Sequence, residues 1–162
     1  MTNKANGRAK AVADVSDGLI LASVEIAAAP DQVFEALASE AVCDWWVRPG
    51  VFDTREWSGE VRVGGHWRAS GLGGGKPYAL KGEFLEVAAP VRLVHTWQPA
   101  GGSGRPSTVI YQLEAIDHGT RLTLRHSGIG DPMTCMNTAI GWETSLERLS
   151  EELAPRMTRG AD

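Results

Sequence analysis

Among the residues of this 162-residue sequence able to move or anchor a proton, His95, Tyr111 and His126 stand out by their place in the strands. Each falls in a run of alternating apolar residues that reads as a strand, so parity decides where it points. Leu93, His95 and Trp97 share one face of the first run. Val109, Tyr111 and Leu113 share a face of the second, and Leu122, Leu124 and His126 a face of the third. The opposite faces carry Gln112, Glu114, Arg121, Thr123 and Arg125, polar and charged side chains that belong in water. His95, Tyr111 and His126 are therefore expected on an inner wall. There they form either an acid–base or anchoring cluster, or three separately satisfied core residues. The second is the simpler reading and is preferred; no catalytic residue is assigned beyond these three weak candidates.

Other familiar chemistries lack their spacing. Ser127 has no Gly-x-Ser-x-Gly context, so a nucleophile-elbow hydrolase is not expected. His66, His95, His118 and His126 show no helical i, i+4 pair and no Cys–His spacing, so no metal site is expected. His118 falls in a turn and His66 on an outer face. The run Gly71 to Gly75 precedes a strand, not a helix that could hold a phosphate, and reads as a flexible hairpin tip. No cofactor is implied. Cys43 and Cys135 read as two reduced thiols of a cytoplasmic protein. A net charge of -4 argues against a nucleic-acid surface, and no apolar run reaches the roughly 20 residues of a membrane span.

The elements that must carry these residues follow from periodicity and punctuation. Leu19 to Ala28 reads as a first strand. Pro30 and Asp31 then open a short helix through Val33, Phe34, Leu37 and Ala41. A further turn through Cys43, Trp45 and Trp46 stops at Pro49-Gly50. From Val51 to His126, Gly and Pro divide five or six apolar runs into an antiparallel meander. Met136, Ala139, Trp142, Leu146, Leu149 and Leu153 then recur at threes and fours, with Glu143, Glu147, Glu151 and Glu152 opposite. These elements make one α+β domain over residues 18–155. Flexible tails are expected at 1–17, which has no apolar core of a secretory signal, and at 156–162.

Several motifs resemble the Hsp90-ATPase-activator-homologue-like family of the START/Bet v 1 (SRPBCC, helix-grip) superfamily. They are Pro30 with Val33-Phe34 and Trp45-Trp46, the run Val63-Gly64-Gly65-His66-Trp67, and the pair of strands from Gly82 to Val87 and from Pro90 to Trp97. The run Thr120 to Gly128 and the helix around Gly141-Trp142 complete the order, over roughly residues 19 to 154. The resemblance implies a curved antiparallel sheet of six or seven strands wrapped around a long C-terminal helix, with two short helices after the first strand. It also implies that true Hsp90 activators carry a further N-terminal domain. Only 18 residues precede the first strand here, so chaperone activation is not the expected role.

A sheet gripping a helix leaves a space that side chains fill or a ligand occupies. The expected function is non-catalytic binding of a small hydrophobic or aromatic molecule there. The expected contacts are Trp45, Trp46, Trp67, Leu93, His95, Trp97, Tyr111, His126, Trp142 and Leu146. Trp45 and Trp46 precede the Pro49-Gly50 break and are expected at the mouth as a lid, while Asp44 and Arg48 are expected as solvated surface residues. Two other classes stay open: a cyclase or hydratase using the pocket His and Tyr, and a co-chaperone-like interaction module. A homodimer is expected only on the prevalence of symmetric oligomers. The six tryptophans pose the central question, whether they line a cavity or fill it.

Overall fold

The computed structural model describes residues 8–102 and 104–154. Residues 1–7 of the N-terminal tail expected at 1–17, and the C-terminal tail expected at 156–162, lie outside the described residues. The elements in chain order are β1 (Lys10–Asp14), β2 (Leu19–Ile26), α1 (Pro30–Leu37), α2 (Val42–Trp45) and β3 (Val47–Arg48). There follow β4 (Phe52–Gly59), β5 (His66–Gly73), β6 (Lys76–Ala88), β7 (Arg92–Pro99), β8 (Ser107–Ile116), β9 (Gly119–Ser127) and α3 (Pro132–Leu153). All strands join one antiparallel sheet in the order β1-β2-β9-β8-β7-β6-β5-β4-β3, and α3 lies across its concave face. This is the helix-grip arrangement.

The sheet has nine strands where six or seven were expected. One addition is the two-residue β3. The other is β1, inside the segment expected as a tail. Its inward residues, Ala11 and Ala13, are too small to mark a strand in sequence, yet they pair in register with Ala22 and Ile20. The outer edge of β1 is also held. Glu147 Oε1 accepts the Ala9 N–H at 2.7 Å and Glu143 Oε2 accepts the Ala11 N–H at 3.1 Å. Two helix carboxylates from the side of α3 opposite its apolar stripe thus satisfy edge donors that would otherwise be open.

Two bulges bend the sheet around the helix. In β4 the register shifts between Thr54 and Glu56, so Thr54 and Trp57, three residues apart, both point inward. In β6 it shifts between Phe84 and Glu86, which turns Leu85 out and leaves Phe84 and Val87 facing the core. Such insertions add local twist and reset side-chain parity. The β5–β6 turn is Gly74-Gly75, with φ of 60° and 80°, as a two-residue type I′ hairpin requires.

Helix α3 starts where the sequence says it should. Asp131 accepts the Thr134 N–H at 2.8 Å and Pro132 takes the first turn. Ala139, Trp142, Leu146 and Leu149 are buried as expected, but Met136 is 49% exposed and Cys135 takes its place in the core. The cause is angular. Seven residues before Trp142, Cys135 lies only about 20° around the helix from it, whereas Met136 lies about 120° away. Cys43 and Cys135 are free thiols, and no helix of the described residues is long and apolar enough to cross a membrane.

Candidate functional site

The core contains a continuous aromatic stack. Trp46 meets Trp97 with ring centroids 4.9 Å apart and Trp67 at 5.7 Å, and Trp97 meets Trp142 at 5.4 Å. Trp45 closes the stack against Trp46 at 5.8 Å and donates its Nε1–H to the Ala36 carbonyl at 2.8 Å. Trp67 reaches across the sheet and donates to the Thr96 carbonyl at 3.1 Å. It passes over Gly82, where a Cβ would lie 2.3 Å from the indole nitrogen, so only glycine admits the ring.

His126 joins two of these tryptophans. The Trp142 Nε1–H donates to His126 Nδ1 at 3.0 Å, and an indole can only donate. His126 therefore carries its proton on Nε2 and donates it to Ser107 Oγ at 2.7 Å, while the Ser107 hydroxyl donates to the Trp97 carbonyl at 3.0 Å. Every member of this chain is satisfied only while the imidazole is neutral. Burial, then the nearby His95, pushes the His126 pKa down to about 3. His95 donates from Nδ1 to the Thr96 carbonyl at 2.9 Å, and burial pushes its pKa down to about 4 against that favourable contact. Tyr111 is fully buried between His95 and Trp142; burial pushes its pKa up, and its hydroxyl has no hydrogen-bond partner among the described residues.

Beside this packed region lies a cavity of about 580 Å³ under the N-terminal half of α3. Trp46, Trp97 and Trp142 form one wall. Val51, Phe52 and Leu80 form the other, and Thr134, Asn137 and Thr138 come from the first turns of α3. The Thr54 and Tyr78 hydroxyls are hydrogen-bonded to one another at the sheet end. Burial raises the Tyr78 pKa, so its phenol stays protonated at neutral pH. Gly141 lies against Phe52 in the lining of this space, and a Cβ there would sit 3.6 Å from the ring, in ordinary contact.

The sequence expectations divide at the edge of the cavity. Trp46, Trp97 and Trp142 line it. Trp45, Trp67, Leu93, His95, Tyr111, His126 and Leu146 lie behind it in the packed core. Trp45 and Trp46 form no exposed lid: they are 1% and 5% accessible, because α2 turns both indoles inward under α3. Arg48, expected as a solvated residue, is half-buried at the cavity. Phe52, Thr54, Tyr78 and Leu80 were not anticipated. Their signal is period-two spacing, Phe52 with Thr54 and Tyr78 with Leu80, on either side of the glycine turn. Among the described residues, no group of three His, Cys, Asp or Glu side chains could hold a metal ion.

Solved structures share the fold. Protein CV1439 from Chromobacterium violaceum is 25% identical with a TM-score of 0.78, over 85% of this chain and 98% of that one. The AHSA1 protein SPO3351 from Silicibacter pomeroyi is 26% identical with a TM-score of 0.69, over 83% and 96%. Protein Ms6760 from Mycobacterium smegmatis, 18% identical with a TM-score of 0.76 over 90% and 96%, matches in fold alone. No curated protein matches the chain. The model of the activator of Hsp90 ATPase homolog 1-like protein family matches residues 27–154, and the chain, with its helix-grip sheet and long C-terminal helix, belongs to that family.

Proposed function

We propose that the protein binds a small hydrophobic or aromatic molecule in the cavity under α3 and does not transform it. The observation that carries this reading is the cavity itself: about 580 Å³, walled by three indoles, Phe52 and Leu80, with hydroxyls at a few points. Its size falls within the range of small-molecule sites, and mostly apolar walls with few polar tips are their usual profile. The non-catalytic part is supported by the histidines. His126 has both ring nitrogens engaged, and neither His95 nor His126 lines the cavity.

The test uses Gly141. A Cβ there meets only the Phe52 ring, in ordinary contact, so the larger side chain of Gly141→Leu competes with a ligand for the lining of the cavity, and leucine favours helix over glycine. Neutral N-phenyl-1-naphthylamine should bind the natural protein one-to-one and raise its melting temperature. A ligand at 100 times its dissociation constant adds about 2.7 kcal/mol. The Gly141→Leu protein should fold and lose that binding. Equal binding by both proteins would overturn the reading.

A further inference from the structure

The cavity has an electrostatic feature that an apolar ligand would not use. Arg48, on β3, faces it half-buried. Among the described residues the Arg48 guanidinium has no ion pair or hydrogen bond; Arg8, Arg68, Arg105 and Arg125 have none either, but those four are exposed to water and Arg48 is half-buried. No Asp or Glu lines the cavity. Two residues earlier, Trp46 lines the same wall, and its Nε1–H is buried without an acceptor. Guanidinium and indole can only donate. Asn137 and Thr138 add groups able to donate along the facing helix. A half-buried cation with no carboxylate lining the same cavity leaves its donors to water or to a bound oxyanion, and the oxyanion makes the stronger, charge-assisted bonds.

We propose that the bound molecule is an aromatic acid, its rings against Trp46, Trp97 and Trp142 and its carboxylate, or an equivalent oxyanion, at Arg48. This rests on the binding reading above and adds the charge of the ligand to it. Planar guanidinium suits an oxyanion better than a lysine ammonium does, because its paired N–H groups match two oxygens. Arg48 thus selects among aromatic molecules that the walls alone would not distinguish.

Two fluorescent probes with one ring skeleton separate the ideas: N-phenyl-1-naphthylamine, which is neutral, and 1-anilinonaphthalene-8-sulfonate, which carries an oxyanion. Calorimetry on the folded protein gives affinity and stoichiometry for both. The sulfonate should bind one-to-one and at least about tenfold more tightly than the neutral probe, the scale of a hydrogen bond to a charged group. Arg48→Met, which keeps the apolar stem, should remove that preference and leave the neutral probe within about twofold. Arg48→Lys should keep part of it, and added salt should weaken only the sulfonate. A natural protein that binds both probes equally, or a preference that survives Arg48→Met, overturns the anion assignment while leaving the cavity reading intact. Failure of the neutral probe to bind, or its indifference to Gly141→Leu, counts against the cavity reading instead.

Discussion

Acidification should unfold this protein through two buried imidazoles. His95 and His126 are 3% and 1% accessible, with pKa values pushed down to about 4 and about 3. In the unfolded chain each returns to about 6.5. Between those values the unfolded state binds more protons, so stability is complete above about pH 6.5 and falls as pH drops towards the folded values. One pH unit in that window costs about 1.4 kcal/mol per ring. At pH 5, roughly 1.5 units below the unfolded pKa, each ring costs about 2 kcal/mol and the pair about 4 kcal/mol. Against a typical total of about 5–15 kcal/mol, that is a large loss.

The structure gives the same sign without any titration value. A proton on His126 Nδ1 would set N–H against the Trp142 N–H, and the indole cannot reverse its role. The assay is urea unfolding, followed by tryptophan fluorescence, at steps from pH 8 to pH 5. His126→Gln, which keeps one donor and one acceptor, should be less stable at pH 8 by about 1–3 kcal/mol and lose only about half as much on acidification. A natural protein whose unfolding free energy at pH 5 stays within about 1 kcal/mol of its pH 8 value would refute the reasoning.

Two further substitutions test other parts of the account. Tyr111→Phe removes a buried hydroxyl that has no partner, so urea unfolding should show stability unchanged or raised by up to about 1 kcal/mol. Asp131→Ala deletes the cap of α3, which holds both the backbone N–H and the hydroxyl of Thr134 at 2.8 Å, and should cost about 1 kcal/mol in the same assay.

The fold was legible in sequence wherever one residue type dominated a face. The stripe of α3, the Pro30 start of α1 and the alternation through His95, Tyr111 and His126 all rest on large apolar side chains at regular spacing, and all three appear in the structure. What escaped has physical reasons. Strand β1 buries alanines, which carry little signal, and its outer edge depends on Glu143 and Glu147 more than 130 residues away. The bulges in β4 and β6 break parity, so no fixed alternation carries Thr54 and Trp57 to one side. The tryptophans meet as expected, but Trp45 and Trp46 are buried and form no lid. Trp45 and Trp67 carry hydrogen bonds to backbone carbonyls that fix them in the core, and such long-range acceptors leave no trace in local sequence.

Why the cavity lies at one end of the grip follows from side-chain volume along α3. In the C-terminal half the inward positions are Leu146 and Leu149, both fully buried in the same core as Val33, Phe34 and Leu37 of α1. Thr134, Asn137, Thr138 and Gly141 of the N-terminal half, with Ser145 just past the middle, face the cavity. They recur at threes and fours like the leucines, but they are too small to reach β4 and β6. Trp142 stands where the two stripes meet. Its indole nitrogen is tied to His126 on the packed side, and the residue also lines the open side. A helix that buried leucine throughout would pull the sheet onto itself. The substitution of small residues over about three turns leaves a volume that the protein must either hydrate or give to a ligand. Since that volume is mostly apolar-walled, water there would meet few partners, and an aromatic guest that brings its own oxyanion to Arg48 satisfies both the walls and the charge.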